Sequence, residues 1–121
     1  MGCDAAGNLY VAGNASDNVF RIEPSGTITQ IMDISGDGAG NLLDSPTGLK
    51  ATADGKVYVT AYESDNAFEW DSGTATQILT VFGDGFAPFQ DPADDTVAIG
   101  PNGEIYMTGT DSDTVFRVLL P

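Results

Sequence analysis

Three observations predict an all-β fold built from stacked four-stranded antiparallel sheets, the blades of a β-propeller. The chain repeats itself at a step of 48 residues, each unit divides into short segments rich in β-branched and aromatic residues, and Gly, Asp, Asn and Ser separate those segments. The step links Gly7, Gly55 and Gly103, then Tyr10, Tyr58 and Tyr106, then Phe20, Phe68 and Phe116. It also links the pairs Ser16-Asp17, Ser64-Asp65 and Ser112-Asp113. A fixed period of about 40 to 50 residues with four strands per unit is the mark of a propeller blade. A β-sandwich needs no such period, and solenoid coils are shorter.

Within the second unit the strands are predicted at 47–52, 56–61, 66–70 and 74–80, here named A, B, C and D. Asp54-Gly55, echoed by Asn102-Gly103, is expected to close the A–B hairpin as a two-residue turn, because such pairs accept positive φ. Ser72-Gly73 closes C–D, echoed by Ser25-Gly26. From there the match runs at 47 residues, Ser25–Ile31 against Ser72–Ile78, so one residue is lost between Phe68 and Ser72. Strand B alternates Val57 and Val59 with Tyr58 and Thr60, uncharged on both sides, as a sheet packed on both faces requires. Strand D is polar enough for an outer edge. Tyr10, Phe20, Tyr58, Phe68, Tyr106 and Phe116 are the predicted inter-blade core, and Trp70 is expected to pack with them. Arg21, Glu69 and Arg117 share one C-strand position, where opposite charges either meet between blades or stay solvated. No helix is expected.

The chain therefore reads as a single partial propeller over 1–121. Blade 1 covers about 5–46 and lacks its A strand, blade 2 covers about 47–94, and a partial blade 3 covers about 95–121. That amounts to about two and a half blades. The apolar faces of the terminal blades need a cover, since patches of that size rarely stay bare. The expectation is a homo-oligomer, a six-bladed homodimer favoured, with the remaining blades of a longer chain as the alternative cover.

Composition narrows the partners. Eighteen acids against four bases give a net charge of −14, which repels nucleic acid and anionic membranes. Much of the acidity is Asp, a turn-forming residue. No basic region precedes an apolar run and no stretch approaches 18 apolar residues, so neither a signal peptide nor a membrane span is expected, and the chain reads as soluble. Met1-Gly2-Cys3 lacks the hydroxyl residue that a myristoylation signal places at position 6, which is Ala6. A lone cysteine, Cys3, forms no internal disulfide. Histidine is absent, which removes the usual general base for a Ser or Cys nucleophile and the usual zinc ligand.

Blade topology sorts the acids. The B–C loops hold Asp17, Glu63, Asp65, Asp111 and Asp113, and the long D–A loops hold Asp37, Asp44, Asp84 and Asp91, all on one face of the disc around the channel mouth. Asp17, Asp37, Glu63, Asp65, Asp84, Asp111 and Asp113 are the predicted ligand-binding face. A hard cation takes six to eight oxygens, so calcium (Ca2+) is the cofactor such a ring would hold, with Asp17, Asp65 and Asp113 as candidate ligands. The competing reading is that each Asp caps its own turn. No catalytic residue is assigned.

Pro46-Thr47-Gly48-Leu49, Ala53-Asp54-Gly55-Lys56-Val57-Tyr58-Val59 and Asp65-Asn66-Ala67-Phe68, with Gly-Asp-Gly ahead of the next blade, resemble the NHL-repeat family. Related six-bladed propellers include regucalcin-like (gluconolactonase-type) lactonases and streptogramin lyases. The resemblance implies a propeller whose loop face binds the ligand. It specifies fold better than function, because these propellers host binding modules and unrelated enzymes alike. The function expected is a noncatalytic module binding a protein or a small molecule on its acidic face. The alternative is a divalent-metal-assisted hydrolase or lactonase, with paired carboxylates doing acid-base work.

Overall fold

A computed structural model describes residues 1–93 and 96–118. Those residues form eleven strands and no helix: β1 (Gly2–Cys3), β2 (Leu9–Gly13), β3 (Asn18–Ile22), β4 (Ile28–Met32), β5 (Pro46–Ala51), β6 (Val57–Ala61), β7 (Asn66–Asp71), β8 (Thr74–Leu79), β9 (Val97–Ile99), β10 (Ile105–Gly109) and β11 (Thr114–Val118). They pair in sequence order into three antiparallel sheets, β1–β4, β5–β8 and β9–β11. These are partial propeller blades. The boundary drawn between blades 2 and 3 and the last three residues lie outside the described residues.

Blade 1 carries no more than a two-residue stub of an A strand, ahead of residue 5, the expected start of the blade. Gly2 and Cys3 pair with Tyr10 and Leu9. Two residues suffice because the turn that follows is the one used in the other blades. In each A–B connection the chain closes two bonds around a glycine: Gly7 N–H to Asp4 and Asp4 N–H to Asn8, Gly55 to Thr52 and Thr52 to Lys56, Gly103 to Gly100 and Gly100 to Glu104. Only the glycine has positive φ, between 86° and 90°. This is a three-residue loop, a type I turn followed by a left-handed glycine, rather than the two-residue turn expected from Asp54-Gly55.

The change of step at the C–D turn has the same physical origin. In blade 1 the chain uses the three-residue form, with Gly26 N–H bonded to Glu23 and Glu23 N–H to Thr27. In blade 2, Asp71 pairs directly with Thr74, and both Ser72 (φ 50°) and Gly73 (φ 93°) are left-handed. The missing residue is thus the difference between a three-residue loop and a two-residue type I′ turn. The shift is local, because strand D resumes the same pairing with strand C. A bulge at Val19/Phe20 recurs 48 residues later at Ala67/Phe68, bending each outer strand alike.

Alternation along the strands divides each sheet into a leading and a trailing face. The trailing face of blade 1 (Tyr10, Val19, Met32) packs on the leading face of blade 2 (Leu49, Val57, Val59, Phe68, Trp70). The trailing face of blade 2 (Tyr58, Ala67, Leu79) packs on the leading face of blade 3 (Val97, Ile105, Met107, with Phe116 against them). Strand β6, covered on both sides, is buried throughout. Tyrosines and phenylalanines of the repeat therefore sit on opposite faces. Tyr10, Tyr58 and Phe68 lie buried in the inter-blade core, and Phe116 packs partly buried against it. Phe20 and Tyr106 do neither: they are only half-buried, because Phe20 points ahead of blade 1 and Tyr106 behind blade 3. Trp70 packs against Tyr10, ring centroids 6.3 Å apart.

Of the two readings of this C-strand position, a charge contact between blades is not made among the described residues. Arg21 lies 3.7 Å from Glu23 of its own blade, and Glu69 accepts the Tyr58 hydroxyl at 2.8 Å. Burial and that bond push the Tyr58 phenol far up from its ordinary range. In blade 1 the corresponding hydroxyl, Tyr10, donates to Asp4 instead, at 2.9 Å.

Candidate functional site

The B–C loops are four-residue turns whose last residue is left-handed: Asp17 (φ 54°), Asp65 (φ 51°) and Asp113 (φ 52°). Aspartate tolerates this conformation because its short carboxylate bonds nearby backbone. Here it reaches further, to the next blade. Asp17 accepts the Ser45 N–H at 2.8 Å, and Asp65 accepts the Asp91 N–H at 2.7 Å. From the other side, the serine of the same motif holds the loop arriving at its own blade. Ser64 accepts the Asp44 N–H at 3.1 Å and Ser112 the Gln90 N–H at 3.2 Å. The residue after the Asp completes the clasp: Asn66 donates to the Leu42 carbonyl and Thr114 to the Pro88 carbonyl, both at 2.9 Å. The Ser-Asp-Asn/Thr motif thus pins each D–A loop between two blades.

These bonds place the predicted acids. Asp37 and Asp84 cap their own loops: Asp37 accepts from Ala39 N–H and the Asn41 amide, Asp84 from the N–H groups of Phe86 and Ala87. Hydrogen bonding holds both carboxyls below their ordinary range. The candidate cation ligands Asp17, Asp65 and Asp113 are dispersed one per blade. Among the described residues, no group of three or more His, Cys, Asp or Glu is arranged to hold a metal ion.

A different subset does converge. Asp91, at the start of blade 3, is acted on by Asp111, in its B–C loop: the interaction with the Asp111 carboxyl is the main reason the Asp91 pKa is pushed up from 3.8 to about 6, with desolvation and the charges of Asp111, Asp65 and Glu63 adding to it. The same field acts on Tyr62, whose phenol is raised chiefly by the Asp91 charge, then by desolvation, then by Asp111, Glu63 and Asp65. Beside Tyr62 opens a hollow of about 350 Å³, lined by Asn14, Ser45, Thr47, Tyr62, Glu63 and Ala93. It draws on the loops of blades 1 and 2 and on the segment leading into blade 3.

The ligand face read from the sequence includes Glu63, Asp65 and Asp111 but not Tyr62, Asn14 or Thr47, which line the hollow. One signal existed in the repeat itself. The position of Tyr62 is Asn14 in the first copy and Thr110 in the third, so an exposed aromatic breaks the pattern on the face where ligands are expected.

No protein-family model and no curated protein sequence matches the chain. Solved structures do. Virginiamycin B lyase from Staphylococcus aureus, in selenomethionine form, superposes with a TM-score of 0.67 at 19% identity, over 99% of this chain and 41% of the lyase. A catalytically inactive histidine-to-alanine variant of that enzyme with quinupristin gives 0.66 at 15% identity, over 98% of this chain and 39% of the other. An auxiliary nutrient binding protein from Bacteroides thetaiotaomicron gives 0.54 at 11% identity, over 89% and 27%. The likeness is one of fold, and the chain spans about two fifths of the lyases' length.

Proposed function

We propose that this chain is a noncatalytic, NHL-like propeller module that binds its ligand on the acidic loop face and associates with copies of itself. The observation carrying this reading is the Tyr62 hollow, where an exposed aromatic ring stands among carboxylates drawn from successive blades. That combination suits a ligand with a positive charge on an apolar body, a basic peptide or a small organic cation, because the ring face and the acids attract the same charge. Two features favour binding over catalysis. The chain has no histidine, whereas the lyase of similar fold is described as inactive when a histidine is replaced. A protein described as binding nutrients is also among the structures of similar fold.

The Asp91–Asp111 pair supports the second reading, a metal-assisted hydrolase, since a carboxyl poised near pH 6 suits general acid-base work. Amide NMR titrations with a lysine-rich decapeptide, tetramethylammonium and calcium chloride separate the readings. Shifts centred on Tyr62, Glu63 and Thr47 with the organic cations, lost in Tyr62→Ala, support the binding module. No response at millimolar concentration overturns it. Calcium-dependent hydrolysis of a simple lactone would put the enzyme first.

A further inference from the structure

The three copies of the repeat put chemically equivalent residues in unequal surroundings. At one trailing-face position, Val19 and Ala67 are 0% exposed and Val115 is 70% exposed. Each lies one residue into its C strand, opposite a B-strand partner (Ala12, Thr60, Thr108); Val19 and Ala67 also pair with Met32 and Leu79 of a D strand, whereas β11 is the edge of its sheet among the described residues. Val19 and Ala67 are covered by the leading face of the next blade and by the D strand of their own. The leading faces tell the same story in reverse. Val57, Val59 and Phe68 of blade 2 are buried beneath blade 1, whereas Leu9, Val11 and Phe20 of blade 1 are half-buried. Ile28 of that face is 65% exposed.

We infer that the trailing face of blade 3, around Tyr106 and Val115, docks the leading face of blade 1, around Phe20 and Ile28, of a second copy of this chain. The inference rests on the self-association proposed above and specifies its surfaces and polarity. The argument for this occupant is continuity. Two interfaces inside the chain already join a trailing face bearing Tyr and a small β-branched or Ala residue to a leading face bearing alternate aliphatics and Phe. The two faces left over are one of each kind, so a third interface of the same design joins tail to head. Such a contact is heterologous, with different patches meeting, and is not the like-on-like contact of a two-fold dimer interface. Each chain carries a charge of −14, so the contact is apolar attraction working against long-range repulsion, and added salt strengthens it.

The test uses two variants altered where a single copy already exposes the side chain, so that folding is retained and checked by circular dichroism. Val115→Glu blocks the tail and Ile28→Glu blocks the head. Sedimentation equilibrium at about 100 μM is expected to give the wild type a mass at least twice the 12.6 kDa of one chain, and each variant alone the mass of one chain. The decisive sample is their equimolar mixture, in which the free head of one variant meets the free tail of the other and a 1:1 pair forms. A monomeric wild type overturns the inference, and so does either variant still pairing with itself, which would mean like-on-like contact or another cover for these faces. Repeating the peptide titration on the single variants keeps the two proposals apart, because the Tyr62 hollow lies within one copy and responds whether or not the copies join.

Discussion

At the scale of single residues, the acids of this chain have opposite titration behaviours set by their neighbours. Asp4, Asp37 and Asp84 accept hydrogen bonds and sit below their ordinary range, so the stability they contribute is present above about pH 4 and lost as pH falls. Asp91 is raised, from 3.8 to about 6. Between those values the folded chain holds a proton that the unfolded chain has released, so this group's contribution weakens as pH climbs from about 4 to about 6. Replacing Asp111 by Asn removes the neighbouring carboxylate charge that raises Asp91. The Asp91 carboxyl carbon, followed by NMR, is expected to titrate near 6 in the wild type and well below that in Asp111→Asn. An unchanged midpoint would show that desolvation and the charges of Asp65 and Glu63 raise it without Asp111. Legibility at this scale was partial: the loops holding these acids could be read from the repeat, but which carboxyls meet depends on how loop 80–92 folds back over blade 3.

At the scale of elements, the turns decide register. The type I′ turn at Ser72-Gly73 demands positive φ at both central residues, and serine is a poorer left-handed residue than asparagine. Ser72→Asn is expected to stabilise the C–D hairpin by roughly 0.5 kcal/mol, read as a higher urea midpoint with an unchanged slope. A lower midpoint would mean that the Ser72 hydroxyl, which donates to Asp71 at 3.0 Å, matters more than the backbone preference. Strand positions were readable because hydrophobic alternation and glycine punctuation act locally. The three-residue A–B loops were not, since Asp-Gly fits two hairpin types and only the bonds flanking the glycine choose between them. The role of the Ser-Asp-Asn/Thr motif was likewise hidden, because each of its bonds spans 20 residues or more and joins loops that meet only once blades stack.

At the scale of the whole molecule, position within the stack outweighs residue identity. Phe20 and Phe68 occupy the same place in the repeat, yet Phe68 is fully buried beneath blade 1 and Phe20 is not. Phe68→Ala therefore leaves a cavity and is expected to cost about 3–5 kcal/mol. Phe20→Ala, measured at concentrations where chains are separate, is expected to cost under about 1.5 kcal/mol. Denaturant unfolding of both variants checks this; equal losses would mean that the single chain already covers the leading face of blade 1.

The sequence by itself determined the all-β class and the four-strand unit, because both follow from periodicity and turn chemistry that repeat along the chain. Only the tertiary structure decided which members of each repeated set are buried, which acids meet and where the hollow opens. Those properties belong to a residue's neighbours in the stack, and the first and last copies of any repeat lack a neighbour that the middle one has.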